Sequence, residues 1–220
     1  MSEGYKPARQ RSTRRGTLGT AATAPVQGRE LRAQGRKTMG RLLDAGMRVF
    51  AERGVHAARV DDIVRAARTS HGTFYLYFPN KEALLRALAV ECAQELDDLS
   101  TTLGAVPADE TGYAELRSFL DRFFTTYRHY GPVIRAWMEG QVEDREVSHM
   151  GVKAFTDIAT ALGKRMREAG AAGDDATISA LMALLERFAY FLVSRRLDFD
   201  ADDTLDTVAT VVHRGFFAAA

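Results

Sequence analysis

Two short helical patterns separated by a tight polar turn, within residues 60–85, constrain the fold of this chain more than any other feature. The second pattern, residues 70–78, is crowded with hydrogen-bonding side chains, and Phe74 and Phe78 stand at i and i+4, where their rings can hold a helix from behind. A short helix with buried rings and outward polar groups is what a helix-turn-helix places in a major groove. The first pattern has apolar residues at the spacing of one buried helical face: Val60, Ile63, Val64 and Ala67.

These residues carry a resemblance to a known family. Over residues 40–88 the sequence is similar to the TetR/AcrR family of transcriptional regulators. The resemblance implies an all-α fold of about nine helices, with an N-terminal three-helix helix-turn-helix head and a C-terminal helical ligand-binding and dimerisation domain. The matching positions are Phe50, Gly54, Val60, Ile63, Ser70, Gly72, Thr73, Phe74, Tyr75, Tyr77, Phe78, Lys81 and Leu84.

Charge is distributed unevenly along the 220 residues, although the net charge is only +1. Residues 1–35 carry +5, residues 36–82 carry +4 and residues 83–220 carry −8. Basic charge therefore coincides with the helix-turn-helix pattern, as expected of a protein that presents one end to phosphate. The length suffices for this module and one larger helical core.

The rest of the sequence predicts a cytoplasmic protein that makes no contact with a membrane. The single cysteine, Cys92, cannot form an intrachain disulfide, which favours a reducing compartment. No apolar run reaches the roughly 18 residues that span a bilayer. The N-terminus has no hydrophobic secretory segment, and its Arg-rich character is typical of either a disordered tail or a transit peptide.

Three domains are expected: a disordered basic arm (1–35), the helix-turn-helix domain (36–82) and the helical ligand-binding and dimerisation domain (83–220). The arm has too few large aliphatic residues to offset the entropy of ordering, and its arginines could bind phosphate or remain a solvated tail. No strand pattern is present. Helices are predicted over 37–53, from Asn80 to about 102, and over 110–130, 132–142, 148–169, 174–196 and 203–218.

The last two predicted helices indicate a homodimer. Apolar residues surround the first of them on almost every side, and such a helix must be covered on all sides. In the family that the sequence resembles, the corresponding helices form a four-helix bundle with a second subunit, although burial in a larger monomer is the alternative. The expected interface residues are Leu181, Leu185, Phe188, Leu192, Leu205, Val208, Val212 and Phe216.

The resemblance also assigns contacts with a double-stranded DNA operator. Residues at the start of a recognition helix meet base edges, and the family's tyrosines bond the phosphate backbone. The alternatives are that Ser70 only caps the helix, His71 is only solvated and the tyrosines only pack. Two departures from the family are Arg68 and Thr69, which replace a usual Gly and Val in the turn, and Arg59, which replaces a capping residue. The expected DNA contacts are Arg59, Thr69, Ser70, His71, Gly72, Thr73, Tyr75, Tyr77 and Lys81.

Aromatic and methionine residues on the later helices could line a cavity for a small, largely apolar effector. Ordinary core packing is the alternative for each of them. Arg135, Glu139 or Glu186 could supply a polar anchor. The expected ligand-binding residues are Phe119, Phe123, Phe124, Tyr127, Trp137, Met138, Phe155, Phe188 and Tyr190.

Together these patterns predict a ligand-responsive regulator, most simply a repressor that an effector releases from an inverted-repeat operator; an activator on the same fold stays open. An enzyme is the alternative from another class. The five histidines are scattered, without a His-Glu-x-x-His pair, a Cys-x-x-Cys pair or a Gly-rich phosphate loop. Asp61 and Asp62 are adjacent on a helix and so face different ways. We expect no catalytic residue, no metal site and no cofactor.

Overall fold

The computed structural model describes the backbone of residues 26–140, 142, 144–194 and 201–218, and the side chains of residues 33–140, 142, 144–192 and 202–218. These residues form helices and connecting turns without a strand, which confirms the all-α prediction. The elements are α1 (Val26–Arg53), α2 (Val60–Ala66), α3 (His71–Tyr77), α4 (Lys81–Thr102), α5 (Glu110–Met138), α6 (Arg145–Glu168), α7 (Asp175–Ser194), α8 (Ala201–Val212) and a π-helical turn (His213–Phe217).

Helix α1 begins earlier than its sequence suggests. It starts at Val26 instead of near Lys37, so residues 26–35 of the expected arm are helical. Residues 26–36 are rich in Arg, Gln, Ala, Leu and Glu, which are good helix formers, and they continue the turns of the following apolar segment. The remainder of the arm, residues 1–25, lies outside the described residues. The chain divides into two units, Met1–Lys37 and Thr38–Ala220.

Within the unit that starts at Thr38, the first three helices pack around one set of buried side chains. Helix α1 ends at Gly54, as predicted, and this glycine has a φ of +76°, which suits a left-handed C-cap. Gly46 allows α4 to approach closely, because a Cβ atom there would lie 2.4 Å from Leu84 Cδ2. The buried side chains of this head include Leu42, Phe50, Ile63, Phe74 and Phe78.

Helix α5 is continuous, whereas the sequence predicted a break at Gly131–Pro132. Proline removes one helical hydrogen bond, which usually ends or kinks a helix. Here Gly131 and Pro132 are both buried, and the neighbouring Val133 and Ile134 are fully buried as well. Tertiary packing on both sides of the proline therefore outweighs its local cost.

The predicted dimer residues of α7 and α8 point largely into their own subunit. Leu181 and Leu185 are 0% exposed and pack in the core of this chain, which leaves no surface of theirs for a partner in this conformation. Leu205, Val208 and Val212 are buried as well. A sequence that is apolar on almost every side of a helix predicts that the helix is buried. It does not predict which side packs on the core of the same subunit and which side is left for a partner. The other three predicted residues are only half-buried: Phe188, Leu192 and Phe216.

The outward side of α7 is a different stripe. It carries small side chains together with one arginine and one partly exposed ring. The outward residues are Ala176, Ser179, Ala180, Ala183, Arg187 and Phe191.

Within the described part of the chain, no helix is both long and apolar enough to cross a membrane.

Candidate nucleic-acid interface and ligand pocket

Helix α3 is fixed at its start by a cap and from behind by two rings. The Ser70 Oγ accepts a hydrogen bond from the Thr73 backbone N–H at 3.1 Å and lies 3.0 Å from Thr73 Oγ1. Phe74 is 0% exposed and Phe78 is also buried, with ring centroids 5.9 Å apart, as predicted. In the free protein Ser70 therefore acts as the N-cap of α3.

The turn before α3 contains a strained residue at the position where the sequence departs from the family pattern. Arg68 has a φ of +51°, a left-handed conformation that glycine adopts without steric cost. The Thr69 N–H donates to Val64 O at 2.9 Å, and the Arg68 N–H donates to Arg65 O at 3.1 Å, the two bonds of a Schellman motif. The turn thus keeps the geometry that a glycine would give and places an arginine on it.

The solvent-facing side of α3 holds most of the residues predicted to contact DNA. His71, Gly72 and Tyr75 are exposed, while Thr73 and Tyr77 are half-buried. Sequence reasoning missed two further residues on this surface. The first is Leu76, which is 82% exposed. Phe74 and Phe78, at i and i+4, define the buried side of α3, and Leu76 lies midway between them in the sequence, so their spacing could have shown that it faces outward.

The second missed residue is Asp61 of α2, which binds His71. The His71 Nε2 and the Asp61 Oδ1 lie 2.6 Å apart, and both side chains are more than half exposed. The hydrogen bond from His71 is the main cause that lowers the pKa of the Asp61 carboxyl, and the nearby Arg65 and Arg59 lower it further. Arg59 itself is exposed at the N-cap of α2 and makes no side-chain cap, as its sequence predicts.

The ammonium group of Lys81 is bound to the backbone and is not available to a phosphate. Its ammonium donates to the carbonyl oxygens of Val55, His56 and Ala58 at 2.9, 2.9 and 3.0 Å. An ammonium has three N–H donors, so all of them are used. We therefore remove Lys81 from the expected phosphate contacts: its side chain ties the first residue of α4 to the loop between α1 and α2.

A cavity of about 510 Å³ lies between the end of α5, the first half of α6 and α7. This volume falls within the range of small-molecule pockets. Among the described residues, Glu186 is the one charged group that lines it, and none is hydrogen-bonded to the buried Trp137 Nε1 in its wall. The lining residues are Trp137, Met138, Ser148, Gly151, Val152, Phe155, Thr156, Ala159, Met182, Ala183 and Glu186.

Only some of the predicted ligand residues line this cavity. Trp137, Met138 and Phe155 do, whereas the predicted aromatic row of α5 is core. Its rings pack on one another along the helix, at i and i+4, where aromatic residues of a buried stripe meet. The structure therefore places four of the predicted residues in the core and not in the lining: Phe119, Phe123, Phe124 and Tyr127. Phe188 also packs on the core, with its ring centroid 5.7 Å from that of Phe124. The ring centroid of Tyr190 lies 6.0 Å from the Cζ of Arg135 and 5.3 Å from the Cζ of Arg187.

Comparison with known proteins places this architecture among bacterial regulators. Residues 42–88, which include α2, α3 and the first part of α4, match the model of the tetR family of bacterial regulatory proteins. The structure of a tetR-family regulatory protein from Rhodococcus RHA1 superposes with a TM-score of 0.66, covering 84% of this chain and 98% of that one at 19% identity. The head of this chain therefore matches the TetR family, and the whole chain shares the fold of a tetR-family protein.

Two curated relatives that this chain matches are HTH-type transcriptional regulators. It is 37% identical over 91 residues to the uncharacterized regulator YvdT of Bacillus subtilis, covering 40% of this chain and 45% of the relative. It is 30% identical over 129 residues to EthR of Mycobacterium tuberculosis, covering 59% of this chain and 60% of the relative. The chain thus spans about half the length of the curated relatives that it matches.

One ion-pair cluster joins α4, the helix that follows the head, to α6, which lines the cavity. Arg86 of α4 binds Glu146 at 2.6 Å and also binds Asp144. Asp144 caps α6 by accepting from the backbone N–H groups of Glu146 and Val147, and these bonds together with Arg86 lower the pKa of its carboxyl. The same helix lines the cavity from residue 148 onward, so α6 contacts both α4 and the pocket.

Proposed function

We propose that this chain is a ligand-responsive transcriptional repressor of the cytoplasm, which binds an inverted-repeat operator as a homodimer and releases it when a small, largely apolar effector fills the core pocket. One observation carries the proposal. Helix α3 is anchored by two buried rings and turns His71, Tyr75 and Leu76 outward, where nothing in the described structure covers them.

The chemistry of that surface fits a major groove. Hydroxyl, imidazole and phenol groups can bond base edges and phosphates, and the exposed Leu76 can contact a thymine methyl group. Arg59, Arg65 and Arg68 surround the helix with positive charge, which favours phosphate. Ser70 and Thr69 stay in the proposed contact set as residues at the start of the helix, and Gly72 allows a close approach of the backbone.

DNA binding is tested by fluorescence anisotropy with the intergenic DNA next to the gene. We expect nanomolar binding to an inverted repeat whose half-sites are separated by about one helical turn, roughly 35 Å. The double variant His71→Ala and Tyr75→Ala should weaken this binding by about 100-fold, because it removes two outward contacts. His149→Ala, which removes an exposed histidine from α6, is the matched control and should bind normally. Equal affinity of both variants would contradict the proposed DNA surface.

A homodimer is needed to present two such helices to one face of the duplex. The outward stripe of α7 supports this assembly, because small side chains allow two helices to approach closely and Phe191 offers a ring to a partner. Phe188, Leu192 and Phe216 are half-buried and stay in the proposed interface.

The pocket supports an effector with an apolar body and one hydrogen-bonding group. Glu186 accepts a hydrogen bond from the Tyr127 hydroxyl at 3.3 Å and can accept another from a ligand. The buried Trp137 indole N–H has no partner and would favour a ligand acceptor close to it. Met138, Met182 and Phe155 supply an adaptable apolar wall.

Release of DNA is proposed to pass through α6 and α4. We propose that the ligand binds between α6 and α7 and fits better when α6 is shifted. Because Arg86 of α4 is paired with Asp144 and Glu146 at the start of α6, a shift of α6 would also displace α4. Because Lys81 of α4 holds the loop between α1 and α2, the displacement reaches the head. The size of the response equals the difference in affinity of the ligand for the two states.

The effector is sought by mass spectrometry of small molecules that copurify with the protein, followed by titration of the identified compound into the protein–DNA complex. Val152→Trp should block release while leaving DNA binding intact, because the new ring enters the mouth of the cavity. Thr160→Trp, at an exposed position of the same helix outside the lining, is the control. Undiminished release in the Val152 variant would show that the effector binds elsewhere.

A further inference from the structure

The contact between His71 and Asp61 has a geometry that stability alone does not explain. It joins the first residue of α3 to α2 at 2.6 Å, with side chains that are 55% and 66% exposed. Exposed ion pairs contribute little to the free energy of folding. The contact does, however, decide which edge of the imidazole faces solvent on the surface proposed to enter DNA.

The chemistry of imidazole makes this orientation consequential. Asp61 is an acceptor, so the Nε2 of His71 carries the hydrogen of their bond. The Nδ1 of a neutral ring is then a hydrogen-bond acceptor, and the Nδ1 of an imidazolium is a donor. Among the described residues, none is hydrogen-bonded to this second nitrogen.

We propose that Asp61 is a positioning residue for sequence recognition: it holds His71 so that Nδ1 is the atom offered to a base edge. Neutral His71 then selects a base with a major-groove donor, adenine N6 or cytosine N4. Protonated His71 selects an acceptor, guanine O6 or N7. Operator preference at one position of each half-site therefore changes with pH. This inference rests on the proposed function, because it requires α3 to enter the major groove.

The groups around the pair keep Asp61 charged, so that it can accept the hydrogen bond. Arg59 at the N-cap of α2 and Arg65 within α2 lie close enough to Asp61 to favour its charged form, and Tyr75 lies one turn after His71 on α3. The hydrogen bond from His71 is the main cause that holds the pKa of the Asp61 carboxyl below its ordinary value. The retained hydrogen bond keeps the same ring edge outward in both states.

The test is selection of bound sequences from a random DNA library at about pH 8 and about pH 6, on either side of the histidine range. The full chain is compared with Asp61→Ala, His71→Ala and Glu52→Gln, the last of which removes an exposed acidic charge from the head without touching His71. We expect the wild type and Glu52→Gln to change their preferred base at one half-site position by about three- to tenfold between the two pH values, the scale of one hydrogen bond. Asp61→Ala and His71→Ala should lose the change.

The outcomes separate this inference from the proposed function. If Asp61→Ala binds every sequence more tightly but keeps the pH-dependent preference, Asp61 acts only through its charge and the inference is wrong. If the wild type selects a sequence that does not vary with pH, the inference is again wrong, while DNA binding stands. If the wild type selects no sequence at either pH, the proposed function fails as well.

A second measurement does not depend on DNA or on the folding of a variant. Long-range proton–nitrogen NMR spectra of the free wild-type protein report which ring nitrogen of His71 carries the hydrogen in the neutral state. We expect the Nε2–H tautomer. A neutral ring with the hydrogen on Nδ1 would overturn the inference.

Discussion

Helices α3 and α7 differ in how firmly their residue patterns determine the side that faces outward. Helix α3 has two large apolar side chains at i and i+4 among polar ones, so only one orientation buries both rings. Helix α7 is apolar on almost every side, and several orientations would bury a similar amount of apolar surface. A sparse apolar pattern therefore specifies a face, whereas a dense one specifies only that the helix is covered.

This difference explains which of the predicted surfaces agree with the structure. Phe74 and Phe78 are buried as predicted, and Tyr75 and Leu76 between them are exposed. On α7, Leu181 and Leu185 face the core of this chain, whereas Ala176, Ala180 and Ala183 face outward. The following variants test the contrast, beginning with the largest expected effect.

The two sides of α3 should respond very differently to truncation. Phe74→Ala removes a fully buried ring and should lower the free energy of unfolding by about 3–5 kcal/mol. Leu76→Ala, two residues away and 82% exposed, should change it by less than about 0.5 kcal/mol. Urea denaturation followed by circular dichroism measures both. Similar losses would mean that Leu76 is covered in solution and that the outward face of α3 is wrongly assigned.

The outward side of α7 is tested by a charge placed at its centre. If this stripe is the dimer interface, Ala180→Glu should weaken dimerisation by about 2 kcal/mol or more, because a buried unpaired carboxylate would replace a small apolar group. Sedimentation equilibrium gives the dissociation constant. Thr160→Glu, at an exposed position of α6, serves as the control. An Ala180 variant that dimerises like the control would exclude this stripe.

The turn that directs α3 should be improved by glycine. Arg68→Gly removes the left-handed strain and should raise the free energy of unfolding by about 0.5–1 kcal/mol, after the greater chain entropy of glycine is taken into account. Arg68→Ala keeps a Cβ atom and should give no such gain. Thermal melting of the wild type and the two variants separates the effect of backbone strain from the effect of losing the guanidinium. An equal increase in stability in Arg68→Ala would show that backbone strain is not the cause.

The helical fold, the head and its outward residues were predictable because each depends on local spacing. The cap by Ser70 follows from residue type and position alone, and the structure has it. The break predicted at Pro132 was wrong, because burial on both sides of the proline is a property of the tertiary structure.

The candidate sites were less predictable where they depend on residues far apart in the sequence. Trp137 of α5 and Glu186 of α7 line the same cavity. The periodicity of a single helix does not show which of its aromatic residues line a cavity and which pack against other side chains. The role of Lys81 was missed for the same reason, since its three carbonyl partners lie more than twenty residues earlier.

The three bonds of Lys81 have a consequence for where the head ends. Its side chain compensates three carbonyl dipoles in the loop between α1 and α2, so the first turn of α4 is mechanically part of the head. A fragment that stops at Asn80 would leave those carbonyls without their cation, whereas one that continues to Thr102 keeps it. A fragment designed to keep the head intact should thus contain four helices, with α4 as the last.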